Sequence, residues 1–256
     1  MKLTNDYELD FLKSCTKEEL APLVGVILGT DDEGNINRSG RFSSELDTSP
    51  AFIKYYPDHA KYVDEIIEEV QKFGANTLAT IMRGGLGVPY REVLLDAAKR
   101  LKVNFNKKSA TSVIEECLLS KVLVDAWERM PEADRQQLLK EAEKVFGVKV
   151  GGISSAIAIK IFRANGFRAY QFALIIVNAI AKSILGHGLK LAGNVYLVRL
   201  LAVLAGPVGW AISGAWTLAD IASPAFRVTL PACVYIAALR KMKENEKFAT
   251  VNNGKD

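Results

Sequence analysis

GPVGWAISGAWTLADIASPAFRVTLP, residues Gly206 to Pro231, is the densest part of a longer stretch, Val145 to Leu239, whose reading decides the fold. That stretch is apolar, rich in small residues and basic. Its only acid is Asp220, set against Lys149, Lys160, Arg163, Arg168, Lys182, Lys190, Arg199 and Arg227, for a net charge of +7. Met1 to Lys144, by contrast, holds 25 acids and 20 bases, net −5. The overall +4 of the 256-residue chain conceals this segregation. An acidic half facing solvent and a basic, apolar half facing an anionic partner is the arrangement such a split suggests, a membrane surface before nucleic acid. The bases of the second half lie scattered among Ile, Leu, Val and Ala, whereas a nucleic-acid patch clusters Lys and Arg with exposed aromatics. No nucleic-acid partner is therefore expected. The plainer reading of the same residues is that their stems cover buried helices while their charged ends reach water.

Working outward from Gly206, the run Leu200 to Ala219 carries no charge over 20 residues, matching the roughly 20 residues a helix needs to cross a bilayer. Gly206-Pro207 interrupts it. A re-entrant or interfacial hairpin, or a buried helical hairpin of a soluble core, therefore fits better than a simple span. Beyond the break, Ala211, Ala215 and Ala219 form a small-residue stripe that lets another helix approach closely. Gly209, Trp210, Gly214 and Trp216 complete the candidate packing or lipid-facing surface. Ser213, Thr217 and Asp220 form a polar stripe beside it. A lone carboxylate in apolar surroundings needs a cation, and Arg227 or Arg199 is the obvious one. The Asp220–Arg227 pair is the one switch candidate; the plainer alternative is that it fixes a bend at Ser223-Pro224. Lys160, Arg163, Arg168, Lys182, Lys190 and Arg199 are the candidate contacts to an anionic surface. Pro231 is expected to kink the last helix or to restart it before Tyr235.

The N-terminal half reads as consecutive helices. Thr16 and Glu19 have capping-box spacing, and Leu20, Leu23, Val24, Ile27 and Leu28 recur at helical intervals before Gly29, which predicts a helix over Lys17 to Leu28. A shorter helix is expected around Tyr7 to Lys13. Thr30 to Arg41 is a polar loop without calcium-loop spacing. Ser49-Pro50 and Pro57 each place a proline where a helix begins. Tyr62, Ile66, Ile67, Val70 and Phe73 make one apolar stripe, with Asp64, Glu65, Glu68 and Glu69 as the solvated face opposite. A short helix from Asn76 to Arg83 and then GGLG, Gly84 to Gly87, precede a helix from Pro89 to Leu101 that buries Tyr90, Val93, Leu94, Ala97 and Leu101. GGLG lacks the GK[ST] ending and a preceding strand, so it reads as a helix connector rather than a phosphate loop. Ser112 and Glu115 repeat the capping-box spacing and open a helix to about Arg129; Pro131 opens another. No segment of this half alternates with period two.

These patterns predict an all-α protein, a multi-helix bundle with an acidic N-terminal helical half and an apolar, basic, glycine-rich C-terminal half. The expected units are a charged helical domain over 1–146, an apolar and basic helical-hairpin domain over 147–243, and a flexible tail over 244–256. Cys15, Cys117 and Cys233 are odd in number and far apart, which points to reduced core residues of a cytoplasmic protein. MKLTNDYELDFL lacks the basic start and apolar run of a signal peptide. His187, between Gly186 and Gly188, has no acid or cysteine cluster beside it and reads as a turn residue, not a metal ligand. Neither a serine elbow, a phosphate loop nor metal-ligand spacing occurs, so no catalytic residue, metal or cofactor is expected.

Several stretches together resemble the YaaW-like family of uncharacterised bacterial proteins, itself grouped with the ubiquinol–cytochrome c chaperone domain. They are DYELDFLKSCTKEEL (Asp6 to Leu20), RFSSEL (Arg41 to Leu46), QKFGANTLATIMRGGLGVPYREVLLDAAKRLKV (Gln71 to Val103), ILGHGL (Ile184 to Leu189), GPVGWAISG (Gly206 to Gly214) and SPAFRVTLPA (Ser223 to Ala232). The resemblance covers nearly the whole chain and implies an α-helical domain without established catalytic residues. Three functions are then expected in order. The first is a non-enzymatic, chaperone-like or stress-related protein associating with the inner membrane, or with a membrane-protein client, through Val145 to Leu239. The second is a membrane-perturbing effector that sequesters its apolar helices until triggered. The third is a soluble helical scaffold with a homo-oligomer interface along Ala211, Ala215 and Ala219.

Overall fold

The computed structural model describes residues 6–29, 45–75, 87–129 and 226–253, with Glu132 and Gln136. These residues form helices and their connections, and there is no strand among them. A 3₁₀ turn, Asp10–Ser14, leads into α1 (Lys17–Leu28). A second, Leu46–Thr48, leads into the short α2 (Pro50–Tyr55), and a third, His59–Tyr62, runs into α3 (Val63–Ala75). Then come α4 (Tyr90–Arg100), α5 (Thr111–Arg129) and α6 (Phe226–Asn253).

Local chemistry accounts for the helix ends. Thr16 accepts the Glu19 amide and the Glu19 carboxylate accepts the Thr16 amide at 2.7 Å, the reciprocal capping box predicted for α1. Gly29 closes the helix at φ 61°, a left-handed position that glycine adopts without Cβ strain. Ser49 caps α2 by accepting the Phe52 amide, with Pro50 in the first turn, where a missing N–H leaves nothing unpaired. Pro57 departs from its expected place at a helix start: it follows a cis Tyr56–Pro57 bond in the turn before His59.

The apolar stripes land inside. Tyr62, Ile66, Ile67, Val70 and Phe73 are buried, as are Tyr90, Val93, Leu94, Ala97 and Leu101. The acidic face of α3 is solvated only in part. Glu69 is buried and accepts the Glu45 amide at 3.0 Å, so it ties the segment before α2 to α3.

Helix α6 is the centre of the core. It packs against α1, α3, α4 and α5, and every residue from Val228 to Leu239 is buried. A helix with no solvent face over that length must be apolar nearly all round, which VTLPACVYIAAL is apart from Thr229 and the Tyr235 hydroxyl, which donates to the Glu19 carbonyl. Each fully buried Leu, Ile, Val or aromatic side chain contributes about 1.5–3 kcal/mol, so α6 is a main source of the bundle's stability. Pro231 lies within this helix and does not restart it. The residues expected as a flexible tail continue α6 as far as Asn253. The last helix of the expected C-terminal unit thus shares one core with α1, α3, α4 and α5. Residues 130–225, apart from Glu132 and Gln136, lie outside the described residues, and with them the expected hairpin and most of the Val145 to Leu239 stretch. So do the Thr30 to Arg41 loop and the expected Asn76 to Arg83 helix.

Candidate functional site

The densest polar feature among the described residues sits where α4, α5, α6 and the N-terminal segment meet. Arg240 of α6 donates to Glu115 of α5 through Nε at 2.6 Å to Oε2 and Nη2 at 3.2 Å to Oε1. The same Nη2 donates to the Glu8 carbonyl at 2.7 Å, and the guanidinium lies over the Phe11 ring at 4.5 Å. Tyr90, at the start of α4, donates its hydroxyl to Glu115 Oε1 at 2.8 Å. The Tyr90 amide, at a helix N-terminus and so in need of an acceptor, donates to Asp6 Oδ2 at 2.6 Å, and Gln71 of α3 donates to the same oxygen at 3.2 Å. Thr111 donates to Glu8 Oε1 and accepts from Arg91 Nη1 at 2.8 Å.

Glu115 has only 2 % of its side chain exposed. Burial raises its pKa, against the opposing pull of Arg240 and the Tyr90 hydroxyl. Burial, with the Glu115 charge adding to it, pushes the Tyr90 phenol well above its ordinary value. Arg240 is held charged by Glu115 despite its own burial. The Cys233 thiol, fully buried beside them, is pushed far up by burial and so stays protonated and unreactive. Every polar atom named here is engaged. The arrangement supplies no exposed nucleophile and no poised base; it clamps α3, α4, α5 and α6 and the N-terminal segment together. Sequence reasoning gave Glu115 a capping role that it does not have. Helix α5 starts one residue earlier than Ser112, and the carboxylate points at Tyr90 and Arg240.

A second buried polar pair lies in the aromatic group of Phe52, Tyr56, His59 and Tyr62. His59 Nδ1 meets the Tyr62 hydroxyl in a short contact, and the rings pack edge-on. Burial lowers the His59 pKa, opposed by Asp58 and Glu18.

The candidate residues Gly206, Pro207, Gly209, Trp210, Ala211, Gly214, Ala215, Trp216, Ala219 and Asp220 lie outside the described residues, as do Lys160, Arg163, Arg168, Lys182, Lys190 and Arg199. Arg227 falls in the first turn of α6, and its side chain is outside the description. No helix among the described residues is long and apolar enough to cross a membrane. Of the residues that the sequence did not flag, Arg240 had one visible signal, a charge at the end of the apolar run Ala232 to Leu239; Asp6 and Glu8 had none.

Comparison with known proteins places the chain. A family model described as ubiquinol-cytochrome C chaperone matches residues 58–233. A UPF0174 protein of Helicobacter pylori strain J99 is 41 % identical over 238 residues, covering 92 % of this chain and 91 % of the relative. A second protein of that strain, also named UPF0174 protein, is 39 % identical over 210 residues, 80 % of this chain and 100 % of the relative. The UPF0174 protein YaaW of Escherichia coli K12 is 33 % identical over 247 residues, 93 % of this chain and 95 % of the relative. No solved structure matches at a comparable level of significance. The resemblance carried by the Asp6 to Leu20 and Gln71 to Val103 stretches is therefore one of common family, and the chain belongs to the UPF0174 proteins that include YaaW, within the ubiquinol-cytochrome C chaperone family.

Proposed function

We propose that this protein is a non-enzymatic, chaperone-like helical protein that holds an apolar client at the anionic face of the inner membrane, using residues 130–225. One observation carries the reading. The apolar, basic stretch is inserted between α5 and α6, two helices that pack against each other in one core. The bundle is a closed scaffold whose buried charges are compensated, and the inserted segment is where apolar and basic residues concentrate. Apolar surface combined with basic charge gives reversible binding to anionic lipid and to the lipid-facing parts of membrane proteins. The family's printed description, a chaperone, supports the client side of this reading.

Flotation of the full-length protein with vesicles of phosphatidylglycerol and phosphatidylethanolamine tests it. Partition into the vesicle fraction at low salt, weakened by salt, is the expected result. Retention in the soluble fraction, with no client recovered by cross-linking in cells, would remove the proposal.

A further inference from the structure

Within a half of the chain that is net acidic, one described segment reverses the sign. Between Ala97 and Ile114 there is no acid, while Lys99, Arg100, Lys102, Lys107 and Lys108 are all exposed. None of Lys99, Lys102, Lys107 and Lys108 makes an ion pair with a described residue; Arg100 is held by Asp96 at 3.0 Å.

The segment is a built platform. Leu101 and Val103 are buried beneath it. Arg91 donates to the Lys107 carbonyl at 2.9 Å and to the Ser109 carbonyl at 2.7 Å, drawing the loop back along α4. Asn106 turns it by accepting the Lys108 amide at 2.9 Å. Lys102 occupies a left-handed φ of 53°. The four lysines are thereby displayed from both ends of α4.

Its position matters as much as its charge. The Arg100 guanidinium lies 5.4 Å from the ring of Phe226, the first residue of α6. The Lys99–Lys102 end of the platform thus adjoins the point where the apolar, basic insertion rejoins the bundle, while Lys107 and Lys108 lie toward the start of α4.

We propose that the end of α4 and the α4–α5 loop, through Lys99, Lys102, Lys107 and Lys108, dock the bundle on an anionic phospholipid surface, with the Lys99–Lys102 end beside the start of α6. This rests on the membrane reading above and adds to it a contact outside the insertion. Lipid fits better than nucleic acid because the loop offers no exposed ring for stacking. Phe105, its one aromatic, is partly buried and packs on the core. Headgroup attraction needs only several exposed ammonium groups within a Debye length of the surface.

The test is co-sedimentation of the full-length protein with phosphatidylglycerol-containing vesicles, compared with a variant carrying Lys99→Gln, Lys102→Asn, Lys107→Gln and Lys108→Gln. Asparagine is used at 102 because it tolerates positive φ. A surface lysine is worth about fivefold in partition, so the variant should lose roughly a hundredfold or more, with an unchanged circular dichroism spectrum and melting temperature. Binding by the variant within about threefold of wild type, on the per-lysine scale used above, overturns the loop's role and leaves the insertion as the membrane contact. Equal binding of wild type to pure phosphatidylcholine overturns the electrostatic basis. Absence of wild-type binding to any vesicle removes the membrane reading itself. Lysine-dependent binding of homopolymeric single-stranded RNA, with vesicles ignored, overturns the choice of lipid.

Discussion

Arg240 and Glu115 are 125 positions apart in the chain and form a two-point ion pair at 2.6 and 3.2 Å, with the carboxylate buried and the guanidinium nearly so. The pair joins α6 to α5, and Tyr90 and Glu8 join it to α4 and the N-terminal turn. Breaking such a pair from one side is worse than never having it, because a buried charge loses its partner. Arg240→Met should therefore cost about 3–5 kcal/mol. Glu115→Gln should cost less, since Gln still accepts the Tyr90 hydroxyl. The double variant should be more stable than Arg240→Met alone, because no uncompensated carboxylate remains. Urea unfolding of the three variants gives the comparison; additive losses would show that the two side chains act independently.

His59 gives the fold a pH dependence of predictable sign. Its folded pKa lies below the ordinary 6.5, chiefly because it is buried. The unfolded chain thus binds a proton first as pH falls below 6.5, and the stability due to neutral His59, full above that value, declines as pH drops toward the folded pKa. His59→Gln should flatten the fall in melting temperature over that interval while lowering stability at pH 8 through loss of packing against Tyr62. Equal pH slopes for wild type and variant would assign the effect to other groups.

The capping box of α1 was legible because all of its determinants are local. Thr16, Glu19 and Gly29 lie within one helix and its ends, and the observed bounds match the expected ones. Thr16→Ala should destabilise by about 0.5–2 kcal/mol, and Thr16→Ser should restore most of that. Chemical denaturation of both variants checks it, serine rescue separating capping from packing.

The long-range pairings were not legible. Glu115 has capping-box spacing from Ser112, and nothing nearby in the chain says that its carboxylate meets an arginine 125 positions on. Glu69 sits in an acidic run whose other members are solvated, and only the fold brings the Glu45 amide to it. Residues Val228 to Leu239 were read with the apolar stretch before them, since burial inside a bundle and exposure to lipid select the same residue types. What distinguishes the two is the set of neighbours, α1, α3, α4 and α5, which periodicity does not encode.

Gly87 shows a similar limit. As part of GGLG it reads as a connector, which says nothing about why glycine is required. In the structure a Cβ at Gly87 would stand 2.9 Å from the Gln71 Cβ and 3.0 Å from the Gln71 carbonyl carbon, beside the Val88 amide that donates to the Gln71 carbonyl at 3.2 Å. The neighbours are largely backbone of α3 and cannot yield cheaply. Gly87→Ala should cost about 1–3 kcal/mol by overpacking, and should also disturb Gln71, whose side chain reaches Asp6. A thermal melt indistinguishable from wild type would show that α3 and α4 can separate without penalty.

The end of α6 supplies the sharpest boundary. Met242 is its last described buried residue, Lys243 pairs with Glu19 at 2.8 Å, and Glu244 is exposed. A chain ending after Lys243 keeps every buried contact named for α6 and should melt within a few degrees of the full length. A chain ending after Leu239 loses four residues more. Among them are Arg240, the partner of buried Glu115, and Lys241 and Lys243, which pair with Glu116 and Glu19. It should lose about 3–5 kcal/mol from the unpaired Glu115 alone, plus the burial of Met242. Small domains hold only about 5–15 kcal/mol of net stability, so the chain ending after Leu239 should be largely insoluble or open to protease when expressed, while the chain ending after Lys243 behaves as wild type. Equal yields and equal melting curves for the two truncations would show that the clamp at Arg240 does not hold the bundle closed.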